Sequence, residues 1–197
     1  KRHLTSKRSP WYALENRKPA PIWVSVFNRK GLRFVRNITQ AYNLTTFHCV
    51  YNISEFNTDI LFAYLVTDMA KEIFLDNSRQ YGNGLIKFEP NDLNKGKVAD
   101  LRCLSELERH FVLAVYEKLQ YYGGVCCNYI SLLDKFFREK YSSKKIDLNM
   151  FWDDFSKINQ KENNVKMKNK NVRVKQLSFM SLFEQYGDSP IVNNGMV

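Results

Sequence analysis

The stretch PWYALENRKPAPIWVSVFNRKGLRFVRNITQAYN, residues 10–43, decides the fold of the first part of this chain. Within it, residues 22–27 and 32–35 are runs of β-branched and aromatic side chains, separated by a short polar loop that ends at Gly31. Such runs favour β-strands, and glycine takes the positive φ that a hairpin loop needs. A third run of this kind follows at 44–51. The sequence therefore predicts three antiparallel strands arranged as a meander.

The same end of the chain carries nearly all of the net charge. Residues 1–36 contain ten Lys or Arg and one acid, Glu15, which gives +9 of a formal net charge of +10. The other 161 residues hold 20 basic and 19 acidic side chains and are almost balanced. A charge excess on a segment of predicted strands is typical of a surface that binds a polyanion. Nucleic acid is the polyanion that we expect.

The composition fits one domain, or one domain with an appendage. Of the 197 residues, 44% are hydrophobic and 14% aromatic, which is enough for a sizeable core. The longest apolar run, residues 60–66, is far shorter than the ~20 residues of a membrane-spanning helix. We therefore expect a soluble, cytoplasmic protein with no membrane partner.

The four cysteines lack metal-ligand spacing and favour buried thiols in a reducing compartment. The chain does not begin with Met, and we expect it to be part of a longer protein.

Helical patterns follow the strands. Asn57 or Thr58 can cap a helix that runs to about residue 76, with apolar side chains along one face. A fourth short strand is predicted at 85–88, and residues 89–97 form a polar loop after it.

Ser105 and Glu108 form the pattern of a capping box, which predicts a helix to about residue 121. A second helix is predicted from about 126 to 141. Strands followed by helices indicate an α+β fold: an antiparallel β-meander with packed helices and a helical C-terminal part. We divide the chain into a β-rich DNA-binding domain at 1–101, a helical part at 102–143 that packs on it, and a basic linker with a C-terminal segment at 144–197.

The first candidates for DNA contact are basic residues at the predicted hairpin. Arg29 and Lys30 lie at its tip, Arg33 and Arg36 lie on the returning strand, and Arg17 precedes the hairpin. A tip of this kind suits entry into a groove, because Arg can make bidentate contacts to guanine or clamp phosphates. The competing interpretation is that some of these arginines only solubilise the edge of a sheet.

Two further sets of candidates depend on amides and aromatic rings. Trp11 and Tyr12 can stack on a base, although packing over the sheet is the simpler role. The polar loop offers amides and lysines that can read adenine edges or hold phosphate, while an ordinary turn would have the same composition. These loop candidates are Asn91, Asn94, Lys95 and Lys97.

The sequence offers no catalytic or metal site. His3, His48 and His110 are far apart in the chain, and no cluster of Cys and His has metal-ligand spacing. The glycines at 82 and 84 follow a predicted helix rather than a strand, so they favour a turn over a phosphate-binding loop.

Five blocks of the sequence stand out in this order: PWYALENR at 10–17, PAPIW at 19–23, RFVRN at 33–37, NLTTFH at 43–48 and YGNGLIKFEPNDLNK at 81–95. The chain resembles the C-terminal part of bacterial adenine-N6 DNA methyltransferases of type II restriction–modification systems, those of the gamma arrangement. In that arrangement a catalytic domain that binds S-adenosylmethionine precedes a target-recognition domain. The resemblance covers about residues 2–101, and nothing similar is known to us for 102–197.

The resemblance implies sequence-specific recognition of double-stranded DNA within such an enzyme. The family's catalytic block, Asn or Asp followed by Pro-Pro and an aromatic residue, is absent, because the five prolines include no Pro-Pro pair. Its glycine-rich cofactor motif is absent too. We therefore expect this part of the enzyme to be inactive alone and to bind no cofactor, while S-adenosylmethionine is bound by the catalytic domain that partners it. Methylation requires the adenine to leave the base stack, so a separate domain must grip the duplex.

Two alternatives stay open from the sequence. The chain can be a DNA specificity subunit without chemistry of its own, or the recognition part of a fused restriction–modification enzyme. An RNA-binding or assembly module is less favoured, because the strands lack the aromatic signature of the common RNA-recognition sheet.

Overall fold

The protein is described by a computed structural model. It describes residues 18–29, 31–43, 45–51, 56–76, 78–122, 126–142 and 145–184, with side chains as far as residue 166 in the last helix. The chain divides into two compact units, Lys1–Leu148 and Asn149–Val197. Two antiparallel sheets and six α-helices lie in the described ranges, which confirms the predicted α+β class.

The first sheet contains the predicted hairpin, with a different strand order. Strand β1 (Ile22–Ser25) pairs antiparallel with β3 (Phe34–Arg36) on one side and with β4 (Phe47–Val50) on the other. A meander would place β3 in the centre, so the meander prediction was wrong. The alternation of side chains along β1 buries Ile22 and leaves Trp23 half-buried.

The second sheet begins where β1 bends. Strand β2 (Phe27–Asn28) pairs with β6 (Leu85–Lys87), which pairs with β5 (Arg79–Tyr81), all antiparallel. Val26 joins the two sheets, because its amide donates to the Thr46 carbonyl at 3.0 Å and its carbonyl accepts from the Phe88 amide at 3.2 Å. The predicted strand at 85–88 is confirmed, whereas β5 was not expected. Asn28 is therefore not part of a free hairpin tip as predicted, since β2 is held within a sheet.

A single helix was predicted at 58–76, and the structure has two. Asn57 caps helix α1 (Thr58–Leu65) as expected, with its side chain accepting from the amides of Asp59 and Ile60. The chain then leaves the helical conformation at Thr67, whose hydroxyl accepts from the Ala70 amide and starts helix α2 (Asp68–Leu75). Thr67 is fully buried, so its capping bond fixes the break between the two helices.

Part of the expected polar loop at 89–97 is helical. Helix α3 (Pro90–Asn94) starts at a capping box in which Glu89 and Asp92 each accept from the other's backbone amide. Proline at the first helical position favours this start, because its missing N–H would have no partner there.

Helices α4 (Glu106–Tyr121) and α5 (Cys127–Lys140) end within a residue or two of their predicted positions. The capping box of Ser105 and Glu108 at the start of α4 is confirmed. The two helices and α1 bury a set of aromatic rings in the core. The ring pairs are Phe62–Tyr116 at 6.0 Å, Tyr64–Phe137 at 5.2 Å and Phe111–Phe136 at 5.2 Å between centroids. Each such side chain contributes about 1.5–3 kcal/mol by burial.

The second unit consists, in its described part, of helix α6 (Leu148–Glu184). The segment that was interpreted as a basic linker is therefore largely helical, and six Lys or Arg of residues 161–175 lie along it. Among the described residues, no helix is both long and apolar enough to cross a membrane.

Candidate nucleic-acid interface

An open pocket with a volume of about 540 Å³ lies beside the connection between β2 and β3. We call it the basic pocket. Arg29 and Arg33 line it together with Phe27, which is 53% exposed. Lys71 of α2 and Ile130 of α5 line it as well. The pocket thus combines three cationic side chains with an exposed aromatic ring, which is the composition of surfaces that bind nucleic acid.

Buried Asn28 holds the connection that carries both arginines. Its amide nitrogen donates to the Ser25 carbonyl at 2.9 Å, and its amide oxygen accepts from the Arg33 backbone N–H at 3.2 Å. The Ser25 amide also donates to the Arg33 carbonyl at 3.0 Å. Gly31 has a φ of 99°, as the sequence predicted, so a residue with a side chain would be strained at this turn. These contacts fix the backbone from which Arg29 and Arg33 extend.

Ion pairing separates the two pocket arginines from the other arginines of the described part. Arg29 and Arg33 are exposed and form no ion pair with any residue that the structure describes. Lys71 is paired with Asp68 at 3.0 Å. Unpaired guanidinium groups on one concave surface leave a positive field for an external anion. The other five arginines whose side chains the structure describes each lie within 4.0 Å of a carboxylate: Arg36, Arg79, Arg102, Arg109 and Arg138.

Arg36 is occupied inside the protein. It lies on the face of β3 that packs towards α1, where its Nε donates to Asp59 at 2.9 Å and its Nη1 to the Pro21 carbonyl at 2.8 Å. The pKa of the neighbouring Tyr116 is raised to about 12, mainly by the burial of this side chain and to a smaller extent by the negative charge of Asp59. Arg36 therefore joins β3 to α1 and does not line the basic pocket. Its expected DNA contact remains a prediction with this structural role beside it.

The candidates after β6 also lie away from the basic pocket. Asn91 and Asn94 are exposed on α3, and Lys95 and Lys97 are exposed just after it. Asn94 lines a separate apolar cavity of about 600 Å³, bounded by the first sheet, α1 and α2. None of these four residues lines the basic pocket, and their DNA contact remains a prediction.

The sequence did not single out the hairpin of β5 and β6. Its strands pair Arg79 with Lys87 and Tyr81 with Leu85. Asn83 and Gly84 close it, both with positive φ, which is the backbone conformation of tight β-hairpin turns. Asn-Gly followed by a strand was the available signal, but β5 is only three residues long and exposed, so its pattern is weak.

The remaining candidates, Trp11, Tyr12, Arg17 and Lys30, lie outside the described residues. Within the described ranges, no group of three or more His, Cys, Asp or Glu side chains is arranged to hold a metal ion.

Comparison with known proteins identifies the relatives of this chain. Residues 1–121 match the family model described as the C-terminal domain of type II methyltransferase M.Eco57I. The chain is 55% identical over 152 residues to type II methyltransferase M.AccI of Acinetobacter calcoaceticus, an alignment that covers 74% of this chain and 28% of that protein. It is 28% identical over 102 residues to type II methyltransferase M.XamI of Xanthomonas campestris pv. amaranthicola, covering 52% and 19%. The chain thus spans less than a third of the length of these relatives, and no solved structure matches it. The family match covers more than half of the chain, so the chain belongs to the family of C-terminal domains of type II methyltransferases.

Proposed function

We propose that this chain recognises double-stranded DNA as the target-recognition part of a site-specific adenine-N6 DNA methyltransferase. The observation that carries the proposal is the pair of arginines, Arg29 and Arg33, that lack carboxylate partners in a pocket beside an exposed aromatic ring. A fold that pairs its other described arginines but leaves these two unpaired has positive charge available for phosphate or base edges. The family membership supports DNA as the ligand.

The pocket's geometry suits a DNA backbone. Arginine binds phosphate through two parallel N–H groups, and Arg29 and Arg33 lie on one short connection held by Asn28. Phe27 offers an exposed aromatic ring at the same place, with the Lys87 ammonium 5.7 Å from its centroid, and Lys71, which is paired with Asp68, also lines the pocket. Contacts of this kind set the position of a protein on the duplex, and its sequence preference then comes from contacts to base edges.

The chemistry of methyl transfer is assigned to the catalytic domain of the parent enzyme, with S-adenosylmethionine as its cofactor. The glycine-containing segment 82–84 does not have the structure of a loop that binds this cofactor. The glycines at 82 and 84 close an antiparallel hairpin, whereas a cofactor loop of this type connects a strand to a helix N-terminus. We therefore propose that the chain contributes binding and site choice within a cytoplasmic enzyme.

A salt titration of duplex binding tests the proposal. Each phosphate neutralised contributes about 0.9 to the slope of log K against log salt concentration. The double variant Arg29→Ala/Arg33→Ala should therefore bind a labelled duplex more weakly and lower the magnitude of the slope by about 1.8. Arg102→Ala is the matched control, because it removes one exposed arginine that already has a carboxylate partner. Equal affinity and slope for the double variant and the parent chain would refute the proposal.

A further inference from the structure

The hairpin of β5 and β6 has an uncharged tip with exposed amide side chains, whereas the basic pocket is lined by cationic side chains. Seven consecutive residues, 80–86, carry no charge, and they include two amides, Gln80 and Asn83. Both amides are exposed, and neither forms a hydrogen bond or another polar contact within the described part of the chain. Arg79 and Lys87 lie at the base of this neutral segment and are bound to Asp92 and Glu89. The tip is thus polar without being a phosphate-binding surface.

We propose that this hairpin, and not the connection at Arg29, enters the major groove and reads base edges, a role that rests on the proposed function in DNA recognition. Glutamine and asparagine make bidentate hydrogen bonds to adenine in the major groove. The pair Tyr81–Leu85 and the turn Gly82–Gly84 extend beyond the two residues of β6 that pair with β2, and a narrow two-stranded projection fits that groove.

The dimensions agree with insertion. Two strand steps lead from Lys87 to Leu85, which gives roughly 7 Å at about 3.3 Å per residue, and the turn Gly82–Gly84 lies beyond them. The major groove is about 8.5 Å deep. When the tip touches base edges, Arg79 and Lys87 therefore stay near the level of the DNA backbone.

Gly82 supplies an independent argument for close approach. Its φ is not positive, and a Cβ built on it would have no atom within 4 Å. Neither backbone conformation nor packing inside the chain thus requires glycine at this position. A partner that contacts the backbone there would require it, because any side chain would separate the two surfaces. Gly84, with φ of 67°, is explained by the turn itself.

The hairpin is held firmly enough to act as a reader. Arg79 donates through Nε to Asp92 at 3.1 Å, and the same Asp92 oxygen accepts from the Glu89 amide at 3.0 Å. These bonds join β5 to the start of α3. On the other side, β6 pairs with β2, whose Phe27 lines the basic pocket. The reader and the phosphate-binding surface therefore share one sheet, and their separation is fixed.

Selection from a pool of randomised duplexes tests the inference with this chain. The parent chain should enrich a sequence motif that contains adenine. The double variant Gln80→Ala/Asn83→Gly removes both amides, and glycine keeps the positive φ at position 83. It should lose preference at the corresponding motif positions by about 5- to 150-fold and keep the parent's salt slope, since no charge is removed. Gly82→Ala should weaken binding to the preferred duplex more than to random duplexes.

The outcomes separate this inference from the proposed function. If the variants bind duplex DNA and enrich the parent's motif with undiminished preference, the hairpin does not read bases, while DNA recognition by the basic pocket stands. A parent chain that binds DNA without any base preference also overturns the inference. If the parent chain binds no duplex at all, both are wrong. Thermal unfolding of each variant, expected to be close to that of the parent chain, excludes loss of fold as the cause.

Discussion

Replacing Asn28 with alanine tests whether the basic pocket depends on how its arginines are held. Asn28 is 4% exposed and makes two hydrogen bonds, to the Ser25 carbonyl at 2.9 Å and from the Arg33 amide at 3.2 Å. Losing both bonds and leaving their partners without a replacement costs about 2–3 kcal/mol of unfolding free energy. For a chain of this size that lowers Tm by about 4–12 °C.

The effect on DNA binding follows from the same loss. Without Asn28 the connection that carries Arg29 and Arg33 becomes mobile, and binding must order it again. Ordering the backbone of two residues costs about 2 kcal/mol at the least, which weakens binding roughly 30-fold. The salt slope should change little, because both guanidinium groups still neutralise phosphate once bound. Weaker binding with an unchanged slope is the signature of a positioning residue.

Asn37→Ala is the matched control for Asn28→Ala. Asn37 is 8% exposed and donates to the carbonyls of Ala20 and Ala41, both at 2.9 Å, while accepting from the Ala41 amide at 3.0 Å. It should destabilise the chain by a similar amount without weakening DNA binding below its melting temperature. The assays are thermal unfolding followed by circular dichroism and fluorescence anisotropy of a labelled duplex. If Asn28→Ala is destabilised like the control and still binds DNA as the parent chain does, the reasoning is refuted.

Three further predictions concern the rest of the fold and the cofactor. Burial alone would raise the pKa of Glu108, but the Lys140 ammonium and the bonds from Ser105 hold it below its usual value of 4.5. The pair of Glu108 and Lys140 therefore stabilises the fold above about pH 4.5, and this contribution is lost as the pH falls further. In urea titrations, Lys140→Met should lower the free energy of unfolding by about 2–3 kcal/mol at pH 7 and by markedly less at pH 3.5. An equal loss at both pH values would contradict this. Arg36→Ala should lower the free energy of unfolding by about 1–2 kcal/mol, a small value because Asp59 is partly exposed. It should leave the salt slope of DNA binding unchanged. A slope lowered by about one would instead make Arg36 a phosphate contact. Isothermal titration of this chain with S-adenosylmethionine should show no saturable binding, and one-to-one binding would place a cofactor site in it.

Elements with local signals were predicted well from the sequence. The capping box of Ser105 and Glu108 located the start of α4, because both partners lie within one helical turn. Gly31 took the positive φ that its position in a polar loop indicated. The break between α1 and α2 was missed, although Thr67 is a favourable N-cap. The apolar pattern continues across it and hides the break.

Features that depend on distant partners were not predictable. The order of the first sheet differs from a meander because β4 pairs with the second edge of β1. No local pattern around β1 indicates this pairing. The short β2 becomes a strand only because β6, nearly sixty residues later, supplies its partner. For the same reason the sequence could not separate Arg36 from Arg33. Asp59 is 23 residues from Arg36, and it makes one arginine structural while the other stays unpaired.

Hydrogen exchange of the backbone amides, with and without a saturating duplex, tests most directly where this chain binds DNA. We expect slower exchange on binding at residues 26–34, around the basic pocket, and at 79–87, in the hairpin of β5 and β6. Helix α4 (Glu106–Tyr121) should exchange at the same rate in both states, since it contributes to neither surface. Protection that falls on α4, or on no part of the two surfaces while the duplex is bound, would contradict the account.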